Sequence, residues 1–231
     1  MKQLLTTGII LRRTDYGEAD RIILLLTPEQ GKLSLVAKGV RRAKSKLAGG
    51  IELFSVSHIT YLPGRSGSGL GTLVSTRLIR HYGHIVQDIT RTMLGYDLIK
   101  QLNKVTEDNP EPDYFELLEQ TFAALDDQTV PPELIKIWFN AQLIRLGGHT
   151  PNLQTDTAGD KLAADSRYDF DYDQMAFARH ADGNFGVDQI KFLRLIFSGN
   201  QPAVLSKVTG VTEVTKQVSP LVTLLSQQYI S

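Results

Sequence analysis

Gly8–Gly50, GIILRRTDYGEADRIILLLTPEQGKLSLVAKGVRRAKSKLAGG, decides how the chain is read. Three apolar, β-branched runs occur in and around it: LLTTGIILRR (4–13), DRIILLLT (20–27) and KLSLVAKG (32–39), parted by the turn-like TDYGEA and PEQG. Runs of this length, bounded by Gly, Pro and Asp, predict β-strands. The stretch then changes character, setting Lys38, Arg41, Arg42, Lys44 and Lys46 within nine residues that end at a glycine-bounded loop.

Working outward, IELFSVSHITYL (51–62) and GTLVSTRLIRHY (71–82) flank the Gly-rich PGRSGSGLG. Five short strands in about 80 residues predict a small closed or nearly closed barrel of OB-fold size. From Gly83 the period lengthens. In HIVQDITRTMLGYDLIKQLNKV, Ile85, Ile89, Met93, Tyr96 and Ile99 recur at helical spacing, which predicts an amphipathic helix despite Gly95. TEDNPEPD is a Pro-rich break, with Asp113 placed to cap YFELLEQTFAAL. PPELIKIWFNAQLIRLGG opens on prolines and closes on glycines, the expected helix asymmetry. VDQIKFLRLIFSG and TEVTKQVSPLVTLLSQQYI are also helical. The expected fold class is α+β: an OB-fold over residues 1–82, then a mainly α-helical domain over 83–231 with a short irregular or β insertion around 149–186.

The composition is that of a globular protein, with 42% hydrophobic residues, 22% charged residues and no cysteine. The missing cysteines exclude disulfides, thiolate zinc sites and thiol nucleophiles. No apolar run reaches the roughly 18 residues of a membrane span, and the start meets charge too early for a signal peptide. A cytoplasmic protein is therefore expected. A net charge of zero conceals a division: residues 1–82 carry 13 Lys and Arg against 5 Asp and Glu, whereas residues 83–231 carry 12 against 20. Such asymmetry points to a polyanion-binding part joined to something else.

Residues 8–54, then GLGTLVSTRLIRHY and later LIRLGGHTPNL, together resemble the bacterial recombination mediator family RecO. The resemblance follows the order of the Tyr-Gly-Glu turn, the VAKG strand end, the basic loop and the Leu-Gly-Gly…Pro-x-Leu segment. It implies an N-terminal OB-fold and a helical C-terminal domain. It also implies a protein that is not an enzyme, needs no cofactor, and binds single-stranded DNA, with duplex DNA as a further target. Annealing of complementary strands, association with the nucleoid, and work with RecR and the single-stranded DNA-binding protein SSB, to help load RecA, complete the implied role. Many members carry a Cys-rich zinc module after Pro-x-Leu. Here LQTDTAG and the residues beyond it hold no cysteine, so that module does not carry over and the insertion must be held by packing and hydrogen bonds.

Lysines and arginines neutralise phosphates and release counterions without reading sequence, as such a mediator requires. The expected DNA-binding set is Lys38, Arg41, Arg42, Lys44 and Lys46, extended across one barrel face by Arg12, Arg21 and Arg65. Strand alternation argues against Arg12 and Arg13 both pointing into that track. Phe54, Tyr61, Tyr16 and Tyr82 are either stacking platforms for bases or core residues. In the acidic half, Lys136, Arg145, Lys191 and Arg194 lie among Trp138, Phe139, Leu143, Phe192 and Leu195. A basic rim around an apolar pocket there would suit the acidic, hydrophobic C-terminal tail of SSB; the other reading is core aromatics with solvated charges.

Catalytic readings are weaker. GRSGSGLG lacks the Gly-Lys-Ser/Thr ending of a P-loop. DYGEADR supplies Asp15, Glu18 and Asp20 but no nucleophile or metal partner. DFDYDQ (169–174) has Gln174 and His180 where a calcium loop needs Gly and Glu, so a strand with one acidic face is expected. No catalytic or metal residue is assigned. The competing classes are a metal-dependent nuclease or nucleotide hydrolase and a protein-only adaptor.

Overall fold

The computed structural model describes residues 2–64, 69–106 and 112–230. Its first compact unit is Met1–Asp126 and its second Asp127–Ser231. In the first, strands β1 (Leu4–Tyr16), β2 (Asp20–Thr27), β3 (Gly31–Ala37), β4 (Ser55–Leu62) and β5 (Leu70–His81) close a barrel in the order β1-β2-β3-β5-β4. All neighbours are antiparallel except β3 and β5, the arrangement of an OB-fold. Alternation fills the interior with Ile10, Ile23, Leu25, Leu35, Ile59, Tyr61 and Leu73, all buried. The β1–β2 ladder shifts register between Ile10 and Arg12, a bulge that re-aims the strand end beyond it.

Two helices complete this unit, α1 (Ile89–Val105) and α2 (Pro112–Asp126). Asp88 caps α1 by accepting from the Arg91 amide, and Pro112 opens α2 with Asp113 in its first turn. The predicted helix is present, but only part of its predicted face is buried: Ile85 and Ile99 are core, and the other three are not. Ile89, Met93 and Tyr96 are 74%, 55% and 45% exposed, while Arg91, Gly95, Leu98, Ile99 and Leu102 face inward. Gly95 explains the rotation: a Cβ there would sit 2.6 Å from the Phe54 ring, so only glycine lets α1 approach so closely. Phe54 itself holds a positive φ of 57° and meets Tyr96 and Phe122 edge-on, and Tyr82 also meets Phe122 edge-on. The Arg91 guanidinium donates to the Leu125 carbonyl, and the Lys32 ammonium to the carbonyls of Asn103 and Thr106, which ties β3 to the end of α1.

The second unit is built on α3 (Pro132–Leu146), buried almost all round against α4 (Val187–Phe197), α5 (Pro202–Leu205) and α6 (Val211–Tyr229). Its insertion is a three-stranded sheet, β6 (Asn152–Asp156), β8 (Ala176–Arg179) and β7 (Tyr168–Asp171), in the order β6-β8-β7. No zinc-cysteine site is present. An edge-to-face cluster of Tyr168, Phe170, Phe177 and Phe185 fills the sheet instead. The Asp156 carboxylate accepts the Ala158 and Asp160 amides, and the Arg167 guanidinium donates to the Gly183 carbonyl. A Cβ on Gly183 would stand 2.5 Å from the Tyr168 backbone, so the turn closes only with glycine. No helix among the described residues is long and apolar enough to cross a membrane.

Candidate nucleic-acid interface

The basic stretch forms a loop from the end of β3 to a 3-10 turn at Ala48–Gly50. Gly39 turns it out of the strand with a φ of +63°, its amide donating to the Asp20 carboxylate. Val40 and Ile51 anchor the loop in the barrel core, with Leu47 and Ala48 partly buried beside them. Gly50 abuts Thr76 of β5, where a Cβ would fall 2.3 Å from the hydroxyl oxygen. Between these fixed points Lys38, Arg41, Arg42, Lys44 and Lys46 are all exposed. Arg41 stands 3.5 Å from Asp15; the other four have no ion-pair partner among the described residues. A cluster of exposed cations on a pinned loop, four of them without an ion-pair partner among the described residues, can contact a phosphate backbone from several directions.

The predicted track continues only in part. Arg12 is exposed with no ion pair among the described residues, whereas Arg21 is bound to Asp15 at 2.8 Å. Hydrogen bonding from Arg21, with Arg41 nearby, holds the Asp15 carboxyl below its usual range, so it stays ionised. Arg65 lies outside the described residues. Arg12 and Arg13 both line one cavity, contrary to simple alternation, because the bulge before Arg12 turns the strand end and both side chains are long. Arg13 is held by Glu52 at 2.7 Å. Of the four candidate stacking rings, Phe54, Tyr61 and Tyr82 are core, and only Tyr16, 54% exposed, faces solvent. The ring that sequence reasoning missed is Tyr96, assigned by period to an apolar face.

In the second unit, Trp138, Phe139, Leu143 and Phe192 are buried core, and Leu195 is exposed. Lys136 and Arg145 are nine residues, about two and a half turns, apart on α3 and so lie on opposite faces. Arg145 donates to the Gln142 side chain and Arg194 to the Leu153 carbonyl, while Lys191 is exposed. The carboxylates that invited a catalytic reading bind locally. Asp169 accepts the Asn184 amide, which holds its carboxyl low, and Asp171 accepts the Gln174 amide. β7 alternates buried Tyr168 and Phe170 with Asp169 and Asp171, giving the expected acidic face.

Two family models match in sequence order: Recombination protein O N terminal over residues 1–82, and Recombination protein O C terminal over residues 86–230. The chain belongs to the RecO family. Among curated RecO relatives, it is 36% identical over 141 residues to the DNA repair protein RecO of Listeria welshimeri, covering 61% of this chain and 54% of that one. With the RecO of Bacillus cytotoxicus it is 34% identical over 149 residues, 64% of this chain and 58% of the relative. With that of Desulfatibacillum aliphaticivorans it is 30% identical over 154 residues, 66% of this chain and 60% of the relative. The aligned stretch thus spans little more than half the length of these RecO proteins.

Proposed function

We propose that this chain acts in DNA repair and recombination as a mediator that captures single-stranded DNA electrostatically on its OB-fold. The observation that carries the reading is the pinned loop with five exposed cations, on a barrel of the kind that binds strands. Duplex DNA, with the same phosphates, is a second target. Capture of two complementary strands would bring them together for annealing without an energy source. The acidic residues support a role that is not enzymatic: Asp15, Asp20, Asp169 and Asp171 are committed to ion pairs and turn amides. The family supports partnership with RecR and with SSB in loading RecA. Of the second-unit cations singled out for an acidic tail, Lys136, Arg145 and Lys191 are exposed.

The test is a salt titration of single-strand binding by the full chain and by the Arg41→Glu/Arg42→Glu variant. The variant should bind at least tenfold more weakly at low salt, with a log affinity versus log salt slope shallower by about 0.7 for each phosphate it no longer neutralises. Unchanged affinity and slope would move the DNA to another surface. Turnover of DNA or ATP abolished by Asp169→Asn/Asp171→Asn would replace the reading with an enzyme, and failure to bind any nucleic acid at low salt would favour a protein adaptor.

A further inference from the structure

Beside the loop, in the first unit, a cavity of about 310 Å³ opens between the ends of β1 and β2, the segment before β4, and α1. Arg12, Arg13, Asp15, Arg21, Leu53 and Tyr96 line it. That volume is at the lower end for small-ligand pockets, roughly 300–1,000 Å³. Its chemistry differs from that of the loop. Two of its three arginines are already neutralised, Arg13 by Glu52 at 2.7 Å and Arg21 by Asp15 at 2.8 Å, so only Arg12 offers an uncommitted cation. Ionised Asp15 in the wall opposes an occupant that is anionic throughout. The Tyr96 ring, 45% exposed, meets Phe54 edge-on at 5.5 Å and 65°, and Phe54 is itself buried and wedged against Gly95.

An aromatic ring backed by a buried one, a wall of mixed donors and acceptors and one free cation are the complement of a single nucleotide: a flat π-face, a polar edge and a phosphate. We infer that this cavity takes one unstacked nucleobase of the captured strand, Tyr96 stacking on its face and Arg12 meeting the adjoining phosphate. The inference rests on the DNA-binding reading of the neighbouring loop and deepens it. Asp15 joins the two regions, since it pairs with Arg21 in the cavity wall and stands 3.5 Å from Arg41 of the loop. The loop then supplies salt-sensitive, base-blind affinity, and the cavity supplies affinity that depends on a base being present.

The experiment measures binding of the full chain to a 20-nucleotide thymidine strand and to an abasic strand with the same number of phosphates, for wild type, Tyr96→Phe and Tyr96→Ala. Tyr96→Ala should lose roughly tenfold on thymidine, within the range for one base stack. It should lose little on the abasic strand and keep the wild-type salt slope, and Tyr96→Phe should behave as wild type on both. Equal losses on the two strands, or no loss on either, overturn the inference while leaving the loop reading intact. Tyr96-dependent binding of poly-glutamate in place of thymidine would assign the cavity to an acidic protein segment and also overturn it. Failure of the wild-type chain to bind either strand overturns both the inference and the reading beneath it.

Discussion

The loop at Lys38–Gly50 and the cavity under Tyr96 are adjacent, and both are rich in arginine or lysine, yet they use the charge in opposite ways. In the loop, four of five cations have no ion-pair partner among the described residues and all five are exposed; in the cavity wall, Glu52 and Asp15 hold two arginines in place. Free charge gives strength that falls with salt, whereas held charge gives shape. Clustered positive residues on one barrel therefore do not make one uniform site.

The largest expected effect separates the two regions by removing the support of one. Phe54→Ala should cost about 3–5 kcal/mol of stability, because it empties a buried aromatic position beneath Tyr96 while leaving every loop cation in place. Denaturant unfolding measures the loss, and a cost under about 1 kcal/mol would mean that Phe54 does not support the cavity. Gly50→Ala attacks the loop instead. Its Cβ would meet the Thr76 hydroxyl at 2.3 Å, and overpacking of that kind should cost about 1–3 kcal/mol and move the loop root away from β5.

A smaller effect tests the residue the two regions share. Asp15→Asn removes the anion that occupies Arg21 and Arg41, so single-strand binding should strengthen several-fold at low salt with a steeper salt slope. Weaker binding would make Asp15 a direct ligand partner instead of a restraint.

The smallest effect is on stability against pH. Because the Asp15 carboxyl is depressed in the folded chain, its ion pairs contribute fully above the unfolded aspartate value of about 3.9 and are lost as pH falls through the lower folded value. The stability difference between wild type and Asp15→Asn should therefore be constant from neutral pH down to about 5 and shrink below about 4. Urea titrations at several pH values check the sign, and a difference that grows on acidification would contradict it.

Local rules account for what could be read from the residues. The five strands, the helix at Pro132–Leu146 between its prolines and glycines, and the exposed loop come from periodicity, turn chemistry and charge density. The acidic face of β7 comes from strict alternation. Period alone could not say which side of α1 is buried. Ile85, Ile89, Met93, Tyr96 and Ile99 look like one core stripe, yet only Ile85 and Ile99 are buried; Gly95, a residue without a side chain, marks the buried face because Phe54 fills the space a side chain would take. For the same reason the sequence does not single out Tyr96 as a site residue and leaves Phe54, Tyr61 and Tyr82 open between stacking and core.

The charge division behaves similarly. Residues 83–126 carry 3 Lys and Arg against 9 Asp and Glu, so the segment that completes the first compact unit holds most of the negative excess that balances the barrel. The sequence by itself determined the barrel, the helices, the absence of any cysteine-bound zinc and the density of cations at Lys38–Lys46, because each rests on residue type and short-range spacing. Only the tertiary structure decided which cations are free and which are held, and which aromatic ring is left beside them. Those outcomes depend on residues far apart in the chain, such as Arg13 with Glu52 and Phe54 with Gly95, arriving at the same place.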